Sequence, residues 1–127
     1  MYAGEKMYRV AIVEDEAGYR EQVRDYIEKY GEEHHLTFEI VLYEDGREIV
    51  EDEEHAFDII FFDIEMGEMN GMEAAGEIRR RDENVVIVFI TNMAQYAIEG
   101  YSVGALDFVL KPIDYYGFSF RMARALE

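Results

Sequence analysis

Short apolar runs, each followed by a polar residue, limit most strongly what this chain can fold into. Five segments carry them, namely "YRVAIVE" (8–14), "LTFEIVLY" (36–43), "FDIIFF" (57–62), "VVIVFI" (85–90) and "LDFVLK" (106–111). Short continuous apolar runs are typical of strands that are covered on both faces. The stretch after the first run has helical apolar spacing at Tyr19, Val23, Tyr26, Ile27 and Tyr30. Strands that alternate with helices, without hairpin turn signals, predict a doubly wound α/β domain with a five-stranded parallel sheet.

The same patterns set the predicted boundaries. The five segments above are the predicted strands, and the predicted helices are Glu16–Tyr30, Gly46–Glu54, one from the N-cap Asn70 to Arg81, Gln95–Tyr101 and Tyr115–Leu126. We expect Gly31 to stop the first helix, because glycine commonly stands just past a helix end. Asn70 is a suitable N-cap because its side-chain oxygen can accept from free N–H groups of the first turn.

Composition restricts the partners and the location that this chain can have. Its 127 residues suit one domain, and a hydrophobic content of 50% argues against a disordered acidic tail despite the net charge of −17. This charge repels phosphates, so we expect the domain alone to bind neither nucleic acid nor an anionic membrane. The chain has no cysteine, which excludes disulfides and thiolate metal sites. No apolar run approaches the ~20 residues that span a bilayer, and a cytoplasmic location is expected.

One basic cluster stands out against the acidic background. Arg79, Arg80 and Arg81 follow one another at the predicted end of the third helix. They indicate either a solvated helix end or a contact with a partner.

Polar residues follow four of the five predicted strands directly. They are Glu14 and Asp15 after the first strand, Asp63 after the third, Thr91 after the fourth and Lys111 at the end of the fifth. Ligand sites of open parallel sheets lie beyond the carboxyl ends of the strands. Because neighbouring strands are about 4.8 Å apart, we expect these side chains to gather at one edge of the sheet.

This set of side chains has the parts of a phosphoryl site. Three crowded carboxylates repel one another and favour a bound cation, and oxygen ligands without histidine or cysteine favour Mg²⁺. Lys111 offers a fixed positive charge and Thr91 a hydroxyl donor. The combination predicts that Asp63 accepts a phosphoryl group and becomes an aspartyl phosphate.

Each residue taken alone also has an ordinary structural explanation. The acid pair can start a helix with Asp15 as N-cap, Asp63 can be a turn residue and Thr91 a helix cap. Lys111 before Pro112 can be an exposed strand end. The order acid pair, Asp, Thr, Lys, with every member at a strand end, favours the shared site.

With these motifs in place, the sequence resembles the receiver domains of bacterial two-component response regulators over roughly residues 8–118. The matching segments are "VAIVEDE", "FFDIEMGEMNGME", "VFIT" and "FVLKP". The stretch "YAIEGYSVGALDFVLKPI" is similar to the class that carries a LytTR-type DNA-binding output domain. The resemblance implies the flavodoxin-like receiver fold, with strand order 2-1-3-4-5.

The resemblance also implies roles for individual residues. Asp63 would be the phosphoacceptor, with Mg²⁺ held by the side chains of Glu14, Asp15 and Asp63 and by the backbone carbonyl of Glu65. Lys111 would pair with the phosphoryl oxygens, and Thr91 would be drawn toward them. Phe108 would turn inward as Thr91 moves, although its apolar surroundings also fit a plain core residue. The Lys111-Pro112 bond is expected to be cis.

Partners and domain organisation follow from the same resemblance. A sensor histidine kinase would donate the phosphoryl group, and the domain would catalyse its own phosphorylation and the later hydrolysis. Phosphorylation would change the surface formed by the fourth helix, fifth strand and fifth helix, which would mediate homodimerisation or contact with the output domain. We expect residues 1–127 to be a single receiver domain of a longer protein with a C-terminal, DNA-binding output domain that regulates transcription.

The sequence departs from the pattern of the family in two places. Gly67 stands where many receivers have proline, and Glu65 and Met93 occupy positions that flank the phosphoryl group. The Glu65 carboxylate could repel phosphate or orient water.

Two alternatives to a working receiver domain are open. A haloacid-dehalogenase-like phosphatase would need an aspartate where Glu65 stands. A degenerate receiver that serves only as an interaction module is the other alternative.

Overall fold

The computed structural model describes residues 7–127 and contains a five-stranded parallel sheet with helices on both faces. Its strands are β1 Met7–Val13, β2 Thr37–Tyr43, β3 Ile59–Phe62, β4 Val86–Thr91 and β5 Asp107–Leu110. Its helices are α1 Ala17–His34, α2 Gly46–Glu51, α3 Gly71–Arg81, α4 Ala97–Ser102 and α5 Tyr115–Ala125, and a short 3₁₀ turn, Ala94–Tyr96, precedes α4. The strand order is β2-β1-β3-β4-β5, with every pair parallel, which confirms the predicted fold.

The apolar runs are continuous because each central strand supplies two cores. In β3, Ile60 and Phe62 point to the core under α2 and α3, whereas Ile59 and Phe61 point to the core under α1 and α5. All four side chains are at most 2% exposed. Successive side chains of a strand point to opposite faces, so a strand covered on both sides needs apolar residues at every position.

Helix α1 does not stop at Gly31, so that prediction is wrong. The helix continues to His34, and His35, with φ 57°, caps it in the left-handed conformation. Gly31 is buried, and a Cβ built on it would lie 2.8 Å from the carbonyl oxygen of Leu36. The glycine therefore marks the close approach of α1 to the chain that enters β2, and not a helix end.

Helix α2 is shorter than predicted and ends at Glu51 instead of Glu54. Asp52 leaves the helix, and its carboxylate accepts a hydrogen bond from the Tyr43 hydroxyl at 2.6 Å. The same oxygen lies 2.7 Å from Nδ1 of His55. These contacts hold the segment after α2 against the edge of the sheet. The predicted N-cap Asn70 is confirmed, since its side chain accepts from the N–H of Glu73 and forms a capping box.

The arginine run does not form a uniformly solvated helix end. Arg79 donates to the carbonyl oxygens of Val103 at 2.8 Å and Val85 at 2.7 Å, and further to those of Asp82 and Gly104. Arg81 donates to the carbonyl oxygens of Val50, Ile49 and Asp52. Arg80 fits the predicted solvated end, because its side chain is 75% exposed and pairs with Glu77 of the same helix. Arg81 is exposed as well, although it donates to backbone carbonyl groups. The end of α3 thus holds the segments after α2 and α4 by charge-assisted hydrogen bonds.

Within residues 7–127, no helix is both long enough and apolar enough to cross a bilayer.

Candidate functional site

The predicted site residues meet at the carboxyl edge of the sheet. Glu14 follows β1, Asp63 follows β3, Thr91 is the last residue of β4 and Lys111 follows β5. The strands β1, β3, β4 and β5 are consecutive neighbours in the sheet, so these residues lie side by side. Beside them is a pocket of about 360 Å³ whose lining includes Asp63, Thr91, Lys111 and the predicted ligands Asp15 and Glu65.

Lys111 connects two of the acids. Its Nζ lies 2.9 Å from Oε1 of Glu14 and 3.4 Å from Oδ2 of Asp63. All three side chains are almost fully buried, with 2% of the lysine side chain exposed. The explanation of Lys111 as an exposed strand end is therefore wrong. The Lys111-Pro112 bond is cis, as expected.

Burial and crowding disturb the charges of this group. Burial raises the pKa of Glu14 to about 7; the negative charge of Asp63 adds to the rise, and the hydrogen bond from Lys111 opposes it. Burial lowers the pKa of Lys111, but its hydrogen bond to Glu14 and the charges of Asp63 and Glu14 outweigh this and raise it overall. Two buried carboxylates thus share one cation, and Glu14 is not fully compensated.

The three predicted metal ligands form one cluster. Glu14, Asp15 and Asp63 each offer a carboxylate oxygen, and these oxygens lie within 4.8 Å of one another. Asp15 is exposed, whereas the other two are buried. It is also not the N-cap of α1, since that position is held by Glu16. Closely spaced carboxylate oxygens without nitrogen or sulfur donors fit a hard, divalent cation such as Mg²⁺.

Backbone contacts fix the position of Asp63. Its N–H donates to the carbonyl of Val13 at 2.9 Å, and its Oδ1 accepts from the N–H of Ile64 at 2.7 Å. Gly71 permits the turn that follows, because a Cβ there would come within 1.8 Å of the Asp63 carbonyl oxygen. The Asp63 carboxylate is therefore presented by a rigid strand end and a tightly packed turn.

Thr91 and Phe108 occupy neighbouring strands. Thr91 is fully buried, and its Oγ1 accepts from the N–H of Met93 at 3.2 Å. Phe108 is half-buried, and its ring centroid lies 5.7 Å from that of Phe89. A Cβ at Gly100 of α4 would lie only 2.9 Å from Cδ2 of Phe108, so the absence of a side chain in α4 provides room for this ring.

The response regulator receiver domain family matches residues 10–117 of this chain. The chain belongs to this family. The resemblance inferred from the four motifs is therefore confirmed.

Individual relatives agree with this assignment. The chemotaxis protein CheY of Thermotoga maritima is 42% identical over 107 residues, which cover 82% of this receiver domain and 85% of CheY. The sensory transduction protein LytT of Bacillus anthracis is 34% identical over 108 residues, which cover 85% of this chain and 43% of LytT. The receiver domain thus spans less than half of the LytT protein that it matches.

Solved structures resemble the whole described fold. The response regulatory domain of mrkE from Klebsiella pneumoniae has a TM-score of 0.83 and 28% identity, covering 93% of this chain and 94% of its own. The response regulator TrrA of Thermotoga maritima, solved in complex with Mg²⁺ and BeF, has a TM-score of 0.80 and 25% identity. The match covers 94% of this chain and 99% of the TrrA chain.

One residue of the receiver site was not predicted. The Nζ of Lys111 lies 3.9 Å from the centroid of the Tyr19 ring, so the ring covers the ammonium group. The spacing of apolar residues predicts Tyr19 only as a member of the apolar face of the first helix. The position of Tyr19 in the first turn after the acid pair could have indicated this contact. A helix that starts at this edge of the sheet brings its first side chains to the pocket.

Proposed function

We propose that this receiver domain is a phosphorylation-controlled switch in which Asp63 accepts a phosphoryl group. The arrangement of Lys111 between Glu14 and Asp63, beside an open pocket, carries this proposal. An ordinary buried ion pair needs no open space next to it. Here a carboxylate, a cation and a hydroxyl-bearing residue adjoin one cavity that can admit a phosphoryl group.

In the proposed reaction a carboxylate oxygen of Asp63 attacks phosphorus in a donor that carries a P–N bond. The new O–P bond forms as the P–N bond breaks, and the electron pair leaves on nitrogen, which takes up a proton. Lys111 places its positive charge where the phosphoryl oxygens gather negative charge. The buried setting strengthens this interaction relative to water.

Mg²⁺ is the proposed cofactor, and the donor set fits it. The carboxylates of Glu14, Asp15 and Asp63 would hold the ion, together with the backbone carbonyl of Glu65. When bound, the ion neutralises carboxylate charge and stabilises the charge that develops on the transferred group. It would also compensate Glu14, whose pKa is raised by burial although Lys111 donates to it.

The response of the fold is proposed to begin at Thr91 and Lys111. A phosphoryl group on Asp63 adds negative charge and acceptor oxygens, which attract the Thr91 hydroxyl and the Lys111 ammonium group. Phe108 then turns inward as Thr91 moves. The surface formed by α4, β5 and α5 changes in consequence, and we propose that it mediates homodimerisation or contact with an output domain.

The partners follow from the family and its relatives. A sensor histidine kinase is the proposed donor, because its phosphohistidine carries the P–N bond that the reaction needs. The match to LytT covers 43% of that protein, so LytT has further residues that could form an output domain. The LytTR-type resemblance of residues 96–113 is the ground for proposing that such a domain of this protein binds DNA and regulates transcription. We place this system in the cytoplasm, and we propose that the domain also hydrolyses its own aspartyl phosphate.

Phosphorylation by a small donor tests the proposal. The protein is incubated with phosphoramidate and Mg²⁺, and the phosphorylated fraction is measured by intact mass. The wild type should be modified and Asp63→Asn should not. Asp58→Asn is the matched control, because Asp58 lies at the other end of the same apolar run and its carboxylate accepts from the N–H of Arg9. Equal modification of Asp63→Asn and the wild type would refute the proposal, and an unmodified wild type would favour the interaction module.

A further inference from the structure

The ammonium group of Lys111 has three partners in the described part of the chain, and one of them is uncharged. Glu14 and Asp63 accept from it on one side, and the Tyr19 ring faces it at 3.9 Å from the centroid. An ammonium group over a ring face is attracted by the electrons of the ring, more strongly where water is excluded. The lysine side chain is only 2% exposed, so this contact lies in such a place.

The two charged partners are also proposed to bind other groups. Glu14 and Asp63 belong to the acidic cluster that fits a divalent cation, and Asp63 is the proposed phosphoacceptor. A carboxylate that binds a cation or a phosphoryl group interacts less with Lys111. The Tyr19 ring has no such competing role, because it offers neither a carboxylate nor a formal charge.

We propose that Tyr19 is a positioning residue that keeps the Lys111 ammonium group in the pocket while Glu14 and Asp63 bind other partners. The ring face has no strict hydrogen-bond direction, so the ammonium group can shift from the carboxylates toward phosphoryl oxygens without losing this contact. The ring also covers the ammonium group and limits its hydration. This inference rests on the proposed function of Asp63 and adds a residue to it.

Two substitutions distinguish the effect of the aromatic ring at position 19 from the effect of the volume that it fills. Tyr19→Phe keeps the ring, and Tyr19→Leu keeps an apolar side chain without a ring. With phosphoramidate and Mg²⁺, Tyr19→Phe should be phosphorylated at close to the wild-type rate. Tyr19→Leu should be slower by about threefold to thirtyfold, which corresponds to the usual strength of a cation–π contact. Tyr19→Met serves the same purpose if the leucine variant does not fold.

The matched control is a second cation–π pair. Lys29 Nζ lies 4.4 Å from the centroid of the Tyr115 ring. Lys29 is ten residues after Tyr19 in α1, about 15 Å along the helix. Tyr115→Leu should therefore lower stability without lowering the phosphorylation rate of the folded protein.

A spectroscopic measurement tests the contact without phosphorylation or metal. A ring over the ammonium group shifts the NMR signals of the Lys111 ε-methylene protons upfield, and the shift should persist in Tyr19→Phe and vanish in Tyr19→Leu. Equal phosphorylation rates for the leucine and phenylalanine variants, or a wild type without the upfield shift, would overturn the role of Tyr19. Modification of Asp63→Asn would instead overturn the proposed function, so the two failures are distinguishable.

Discussion

Replacing Glu14 by glutamine removes the buried acid whose pKa is raised. The pKa of Glu14 is raised from 4.5 to about 7, chiefly by burial. An acid with a raised pKa in the folded state binds its proton more tightly there than in the unfolded chain. The contribution of Glu14 to the free energy of unfolding therefore falls as the pH rises through this interval and stays low above it.

The size of the effect follows from the two pKa values. A difference from 4.5 to about 7 corresponds to about 3 kcal/mol in total. Between about pH 5 and about pH 8, the wild type should lose about 2 to 3 kcal/mol of unfolding free energy through this group. Glu14→Gln keeps the shape and an oxygen that can accept from Lys111, so it should not show this loss.

Urea unfolding with EDTA at both pH values measures the difference. Titrating groups that do not interact with Glu14 are common to the two proteins, so their contributions cancel when the pH dependences are subtracted. The variant should be more stable than the wild type at the higher pH and close to it at the lower. Mg²⁺ at ten times its Kd should then stabilise the wild type by about 1.4 kcal/mol and the variant by less. Identical pH dependences for the two proteins would show that the pKa of Glu14 is not raised in the folded protein.

Two further predictions concern the close packing at the start of α3 and the hydrogen bond that Tyr43 donates to Asp52. Gly71→Ala should cost at least about 3 kcal/mol in urea unfolding, because its Cβ would lie 1.8 Å from the Asp63 carbonyl oxygen. Gly76→Ala, at a site with no atom within 4 Å, should instead add about 0.5 to 1 kcal/mol, and equal effects would refute the argument. Tyr43→Phe should cost about 1 to 2 kcal/mol at neutral pH, because it removes the hydrogen bond to Asp52. That bond lowers the pKa of Asp52 from 3.8, so the stabilisation is present above that pH and the variants should converge in acid; a constant difference would contradict this.

The positions and the parallel direction of the strands could be predicted because burial on both faces determines their sequence of apolar residues. Continuous runs such as the one before Asp63 fit only strands covered on both faces, and this predicts a parallel sheet. The edge at which Asp63, Thr91 and Lys111 meet then follows from the common direction of the strands. Strand order came from the family resemblance, since nothing local in the sequence specifies which strands are neighbours.

The features that could not be predicted depend on contacts between different elements of the fold. Gly31 has the usual signature of a helix stop, yet it is a point of close packing against residues that lie outside its own helix. Tyr19 has the spacing of a core residue, and its contact with Lys111 depends on how α1 sits relative to β5. Arg79 has the features of a solvated cation, but two of the carbonyl groups that it binds, those of Val103 and Gly104, come from a segment more than twenty residues away.

The hydrogen bonds of Arg79 also restrict how α4 can be displaced. They tie the carbonyl groups of Val103 and Gly104, directly after α4, to the end of α3. The opposite end of α4 begins six residues after Thr91 and is preceded only by a short 3₁₀ turn. Because its C-terminal end is held, α4 would rotate about that end instead of shifting along its axis. Any displacement that starts at Thr91 would therefore be largest near the pocket and smallest near Arg79.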